Sequence, residues 1–128
     1  MKGKKIFILG AGGVVPSIIY ALNKMNVLEI NISNRTRQKA EKLMENFEDL
    51  NILNWGDMTE FDVVINATSL GLNNEFINLD FFNFEKNKLF YDVIYNPRET
   101  NFLKEGKRLG NRVENGKLMF VYQALEAF

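Results

Sequence analysis

The sequence contains no cysteine and no histidine. Without thiols there is no disulfide framework, no zinc-finger set and no cysteine nucleophile. Without imidazole there is no Ser-His-Asp triad, and no metal site is expected. Chemistry in this chain falls to Lys, Asp, Glu, Tyr, backbone amides or a bound cofactor. Excess charge is lacking too: sixteen Lys plus Arg face sixteen Asp plus Glu, a formal net charge of +0. Nucleic-acid binders carry a basic excess and binders of anionic membranes a basic face, so neither nucleic acid nor membrane is an expected partner.

A long hydrophobic run is also missing. Lys2, Lys4 and Lys5 ahead of the mostly apolar stretch from Ile6 to Leu22 copy the opening of a signal peptide, but Gly10, Gly12, Gly13 and Pro16 interrupt it. No A-x-A cleavage site follows, and the stretch is too short and broken to span a bilayer. The expectation is a soluble cytoplasmic protein, with which the lack of cysteine agrees. A length of 128 residues predicts one domain, 1–128. A chain of that size hides roughly two-thirds of its unfolded surface.

What is present is an alternation of short β-rich runs with segments of helical period. Lys5–Leu9 is apolar and ends in glycines, as a buried strand does. Val15, Ile18, Ile19, Leu22 and Met25 recur at helical spacing, Ile30 and Ile32 mark a second strand, and Ala40, Leu43, Met44 and Phe47 line one face of a second helix. Further strands are expected near Ile52, at Asp62–Asn66, at Leu89–Val93 and near Arg112–Val113, with a helix after Thr100 and another from about Lys117. The stretch Asn73–Asn87 reads as a loop with a short helix. Alternating strands and helices predict an α/β, doubly wound (Rossmann-like) parallel sheet of about six strands in a three-layer αβα arrangement.

The segment from Ile6 through Gly10, Ala11, Gly12, Gly13 and Val14 to Ser17 places glycines between a first strand and a first helix. There the backbone can approach a pyrophosphate, and the helix N-terminus supplies N–H donors and a partial positive charge. Gly10 is expected to make the tight turn and Gly12 the close approach. The third glycine of G-x-G-x-x-G is replaced by Val15, and Pro16 is tolerated in the first helical turn. The bland alternative is a glycine turn without a ligand.

After the second strand come Ser33, Asn34, Arg35 and Thr36, with Lys39 one turn later. NAD-binding patterns place an acid here, on the ribose 2′-OH. Two cations and no acid suit a 2′-phosphate, so NADP is the expected cofactor; solvated charges at a helix start are the alternative.

Four blocks in order resemble the C-terminal, cofactor-binding domain of the shikimate dehydrogenase family. They are the glycine loop Gly10–Gly13; Asn34-Arg35-Thr36 with Lys39-Ala40; Asn66-Ala67-Thr68-Ser69-Leu70-Gly71; and Asp92 through Tyr95 and Pro97 to Thr100, followed by Asn115-Gly116, Met119, Gln123-Ala124 and Ala127-Phe128. The likeness covers nearly the whole chain. Pro16 and Ser17 stand where the family commonly has basic and small residues, and Val93 where many members have methionine.

The resemblance implies that Gly10, Ala11, Gly12, Gly13 and Val14 hold the pyrophosphate and that Asn34, Arg35, Thr36 and Lys39 hold the 2′-phosphate. It places the backbones of Val93 and Gly116 beside the nicotinamide, and Tyr95 and Gln123 on the substrate. Otherwise Tyr95 is a strand-end aromatic and Gln123 a polar residue facing solvent. The implied reaction is reversible, NADPH-dependent reduction of 3-dehydroshikimate to shikimate in aromatic amino acid biosynthesis. The family's catalytic Lys and Asp belong to upstream N-x-T-x-P-x-K and N-T-D motifs that this sequence lacks. No catalytic residue is therefore expected in this chain, which reads as a domain or fragment without its substrate-binding half.

The apolar residues of 117–128 point all round a helix, so self-association, or fraying beyond Gln123, is also expected without that half. Two rivals remain at this point. One is a domain of another NADP-dependent oxidoreductase, of quinate/shikimate or glutamyl-tRNA reductase type; the other is a stand-alone nucleotide-binding module.

Overall fold

The computed structural model describes residues 2–57, 59–68, 87–93, 100–116, 123, 125 and 126. In chain order the elements are β1 (Lys5–Leu9), α1 (Val15–Lys24), β2 (Glu29–Ser33), α2 (Arg37–Glu41) with a 3-10 turn (Lys42–Glu45), β3 (Leu50–Leu53), β4 (Val63–Asn66), β5 (Leu89–Asp92), α3 (Asn101–Arg108) and β6 (Arg112–Asn115). The six strands form one parallel sheet in the order β3-β2-β1-β4-β5-β6. Ile8 at its centre pairs with Ile32 of β2 and Ile65 of β4. The α/β doubly wound expectation holds.

β1 and β4 lie in the middle of a sheet covered on both faces, which is why they are apolar without alternation. The two-residue side-chain period splits them between two cores. Ile6, Ile8 and Ile65 pack with Ile18, Ile19 and Leu22 of α1 and with Ala40, Leu43 and Leu125. Phe7, Leu9, Val64 and Phe90 face the other way, against Phe61 and against Phe102 and Leu103 of α3. In this second core the Phe61 ring meets Phe90 edge-on at 5.8 Å, and Phe90 meets Phe102 at 5.1 Å. Trp55, the sole tryptophan, is half-buried against the same cluster. Each such aliphatic or aromatic side chain stabilises the fold by about 1.5–3 kcal/mol on burial.

Right-handed crossovers explain the layers. From β1 the chain winds outward to β2 and β3 with its helices on one face. It then returns to the centre at β4 and winds the opposite way to β5 and β6, so α3 covers the opposite face. β6 closes the edge with a polar sequence, where Arg112 and Glu114 pair at 3.1 Å.

Ala40 and Leu43 are buried as expected, but Met44 is 53% exposed. The backbone tightens into the 3-10 turn at Lys42. At three residues per turn Leu43 eclipses Ala40 while Met44 swings about 120° away from that face. Residues 117–122 of the expected last helix lie outside the described residues, as do 73–86 of the expected loop. Gln123, Leu125 and Glu126 are helical, with Leu125 buried in the first core.

Candidate functional site

β1 stops where Gly10 turns the chain out of the sheet with φ +114°, a conformation open to glycine and strained for other residues. The amide of Gly10 donates to the Ser33 carbonyl at the end of β2 (2.8 Å), while that of Ala67, just past β4, donates to the Leu9 carbonyl (2.7 Å). A Cβ on Gly10 would lie 2.7 Å from the Ala67 carbonyl oxygen. Gly10 therefore makes a turn and a close approach at once, and the approach is to the neighbouring strand. At Gly12 and Gly13 the opposite holds: beyond its chain neighbours, a Cβ at either would meet no atom of the described residues within 4 Å. Their lack of a side chain leaves open space above the backbone.

The loop enters α1 through a turn in which Val15 N–H donates to the Gly12 carbonyl at 3.1 Å. Pro16 sits in the first helical turn, the N-cap residue Val14 supplies no side-chain acceptor, and the turn contains no acid. Among the described residues, the amides of Gly12, Gly13 and Val14 donate to no partner. The positive end of the helix dipole is thus left for an anion.

The second wall follows β2. Asn34 Nδ2 donates to the Thr36 carbonyl (2.8 Å), shaping the bend into α2. Three cations stand on this short segment, with different partners. Arg37 donates to Glu41 Oε1 (3.0 Å) and to Asn54 Oδ1 (2.7 Å), so its guanidinium is tied to its own helix and to the end of β3. Arg35 and Lys39 are exposed and pair with no carboxylate among the described residues.

Gly10–Val14, Asn34–Thr36, Lys39, Ala67 and Thr68 together line a cavity of about 480 Å³. It opens at the carboxyl ends of β1 and β4, where strand order reverses. Open α/β sheets bind ligands at this switch point. Among the described residues the lining contains cations, amides and hydroxyls and no carboxylate. Nine of the sequence-derived positions (Gly10, Ala11, Gly12, Gly13, Val14, Asn34, Arg35, Thr36 and Lys39) meet around this one space.

The other site residues fall elsewhere. Val93 and Gly116 extend β5 and β6 at the same carboxyl edge, with Val93 N–H on the Asn66 carbonyl and Gly116 N–H on the Asp92 carbonyl, both 3.1 Å. Neither lines the cavity. Gln123 is helical and exposed, and Tyr95 lies outside the described residues. The lining residues that sequence reasoning did not assign are Ala67 and Thr68. Their signal was available, since the block Asn66–Gly71 follows an expected strand and is one of the four that carry the family resemblance.

Two further polar features bear on the site. Tyr91 of β5 is wholly buried and its hydroxyl has no hydrogen-bond partner among the described residues. Burial, with the charges of Glu114 and Asp92 adding to it, pushes that hydroxyl up to about 12. At the opposite, amino edge of the sheet a hollow of about 190 Å³ is lined by Lys5, Glu60, Phe61, Asp62 and Lys88. Its charges pair with one another, Lys5 with Glu60 at 3.0 Å and Lys88 with Asp62 at 3.6 Å, and knit the strand starts together. Among the described residues no acidic cluster is placed to hold a metal, and no helix is long and apolar enough to cross a membrane.

Residues 1–101 match the protein family described as Shikimate / quinate 5-dehydrogenase. A shikimate dehydrogenase (NADP(+)) of Pelagibacter ubique is 54% identical over 129 residues, covering 100% of this chain and 49% of that protein. The chain spans about half the length of the curated relatives it matches. Among solved structures, a shikimate dehydrogenase in complex with NADP+ superposes with a TM-score of 0.77 at 31% identity, over 99% of this chain and 48% of that one. The ligand-free 5-ketofructose reductase of a Gluconobacter strain gives a TM-score of 0.79 at 34% identity, over 90% of this chain and 46% of that one.

Proposed function

The chain belongs to the shikimate / quinate 5-dehydrogenase family, and on that premise we propose that it is the NADP-binding domain of a cytoplasmic shikimate dehydrogenase. The observation that carries the proposal is the cleft itself: among the described residues, a helix N-terminus with uncommitted amides over glycines that leave room, beside two unpaired cations and no acid. These residues fit the group. The amides of Gly12, Gly13 and Val14 would take the pyrophosphate oxygens. Arg35 would grip the 2′-phosphate in a two-pronged manner with Lys39 adding a point charge, while Arg37 stays with Glu41.

The chemistry the nicotinamide supplies when bound is reversible hydride transfer at the ketone carbon of 3-dehydroshikimate. The chain's own task is orientation. Val93 and Gly116 would flank the nicotinamide from the ends of β5 and β6. Tyr95 and Gln123 would face the substrate, and the Lys and Asp that move the proton would come from an N-terminal substrate domain. Residues 1–128 are read as one domain, which self-associates or frays beyond Gln123 when that half is missing. Shikimate is the preferred substrate because the shikimate dehydrogenase of Pelagibacter ubique is 54% identical over 100% of this chain.

The test is a calorimetric titration of the purified chain with NADPH and NADH. Tight NADPH binding with NADH weaker by tenfold or more is expected, from a charged contact worth about 1.5–3 kcal/mol. Equal affinity for the two would remove the 2′-phosphate assignment, and no binding of either would remove the domain's function.

A further inference from the structure

Beside the cleft, at the carboxyl ends of β4 and β5, hydrogen bonds link α3 to the cavity wall. The Leu103 amide donates to Thr100 Oγ1 at 3.3 Å, and Thr100 Oγ1 donates to Asp92 Oδ2 at 2.6 Å. Asn66 Nδ2 donates to the same oxygen at 3.1 Å. On its other side Asn66 Oδ1 accepts from the amide of Thr68 at 3.1 Å and from its hydroxyl at 2.6 Å. Asn66 and Asp92 are wholly buried and Thr100 nearly so, whereas Thr68 is half-buried and lines the cavity.

The sense of these bonds is dictated at Asp92. Thr100 Oγ1 accepts from the Leu103 amide and donates its proton to Oδ2, which is thus an acceptor, so Asn66 must turn its amide nitrogen toward β5 and its carbonyl toward Thr68. The reverse orientation would set an amide N–H against the N–H of Thr68 and a carbonyl against a carboxylate oxygen. The carbonyl so placed takes the Thr68 hydroxyl proton. A hydroxyl whose proton is committed meets any further partner with its lone pairs.

We propose that Asp92 is a positioning residue for the cofactor cleft. Acting through Asn66, it turns the Thr68 hydroxyl proton into the protein, so that the cleft wall accepts a hydrogen bond from a donor on the dinucleotide. That donor is a ribose hydroxyl or the carboxamide amino group. Asp92 itself touches no ligand. The inference rests on the NADP-binding function proposed above.

The experiment uses the purified chain, NADPH titration and thermal unfolding in parallel. Asn66→Asp sets an oxygen against Asp92 Oδ2 and is expected to weaken NADPH ten- to hundredfold, roughly the loss of one or two charged hydrogen bonds. Combining it with Asp92→Asn exchanges donor and acceptor and is expected to bring affinity back to within about threefold of the unaltered chain. Thr68→Val should weaken NADPH about tenfold with little change in unfolding midpoint, while Thr68→Ser keeps the affinity. Unchanged binding in Thr68→Val, or a folded double variant as weak as Asn66→Asp alone, overturns the proposal. Should Asn66→Asp fail to fold, the Thr68 pair decides. An unaltered chain that binds no NADPH overturns the cofactor assignment instead, before any variant is compared.

Discussion

Gly10 and Ala67 are in backbone contact across the seam where the sheet reverses its winding: a side chain on Gly10 would collide with the Ala67 carbonyl at 2.7 Å. The glycine loop therefore contains two kinds of glycine. Gly10 is required by the protein, through a positive φ and a neighbouring strand. Gly12 is required by nothing in the described protein, and its vacancy faces the cleft.

That contrast gives the first prediction. Gly10→Ala should lower the unfolding free energy by about 2–4 kcal/mol, combining left-handed strain with displacement of β4. Gly12→Ala should unfold at nearly the same temperature as the unaltered chain yet bind NADPH at least tenfold more weakly. Thermal melts and titrations on the two variants check this. A Gly12→Ala chain of full affinity would show that no ligand backbone approaches there.

The second prediction separates the cations. Arg35→Ala should erase most of the preference for NADPH over NADH, roughly ten- to hundredfold for a charged hydrogen-bond pair. Lys39→Ala should reduce it less. Arg37→Ala should leave it intact, because that guanidinium is held by Glu41 and Asn54. Competitive titration with both nucleotides reads all three, and a preference that survives Arg35→Ala would sink the phosphate clamp.

Much of this was legible in the sequence, for identifiable reasons. Uninterrupted apolar runs such as Lys5–Leu9 and Val63–Asn66 signal strands buried on both faces, and the glycines after β1 signal the turn. Met44 was misplaced because hydrophobic period cannot reveal where an α-helix tightens to 3-10. Arg37 illustrates the limit at the site: three nearby cations look alike in sequence, and only the fold shows that Asn54, at the end of β3, occupies one of them. The bond between Asn66 and Asp92 spans 26 positions and depends on the register of β4 against β5. No spacing rule contains it.

Tyr91 gives a prediction in pH. Its hydroxyl ionises near 12 in the folded chain and near the ordinary 10 when unfolded. The native state therefore holds its proton more tightly, and stability present below about pH 10 is lost as pH rises toward 12. Tyr91→Phe should flatten that alkaline decline. It should also raise stability at neutral pH by up to about 1–3 kcal/mol, because it deletes a buried hydroxyl without a hydrogen-bond partner among the described residues. Urea unfolding from pH 7 to 11 measures both. The same alkaline slope in Tyr91→Phe would assign the decline to other groups.

A fourth prediction concerns turnover. The chain alone should bind NADPH and yet produce none from NADP+ and shikimate, since positioned acid–base groups are commonly worth 10²- to 10⁴-fold (order of magnitude) and substrate orientation is lost with them. Measurable NADPH formation by these 128 residues would show that a proton acceptor lies within the chain.

The position of Trp55 makes the protein its own spectroscopic probe. A single indole is half-buried against the phenylalanine cluster that α3 covers, just beyond β3 and next to Asn54, the partner of Arg37. Its emission reports on one layer of the molecule, so loss of α3 would shift the spectrum toward that of solvated indole while the α1 layer stayed silent. Indole emission overlaps the absorption of a reduced nicotinamide. A dinucleotide bound in the cleft would therefore quench this one fluorophore by energy transfer, and cofactor binding could be followed in real time without a label.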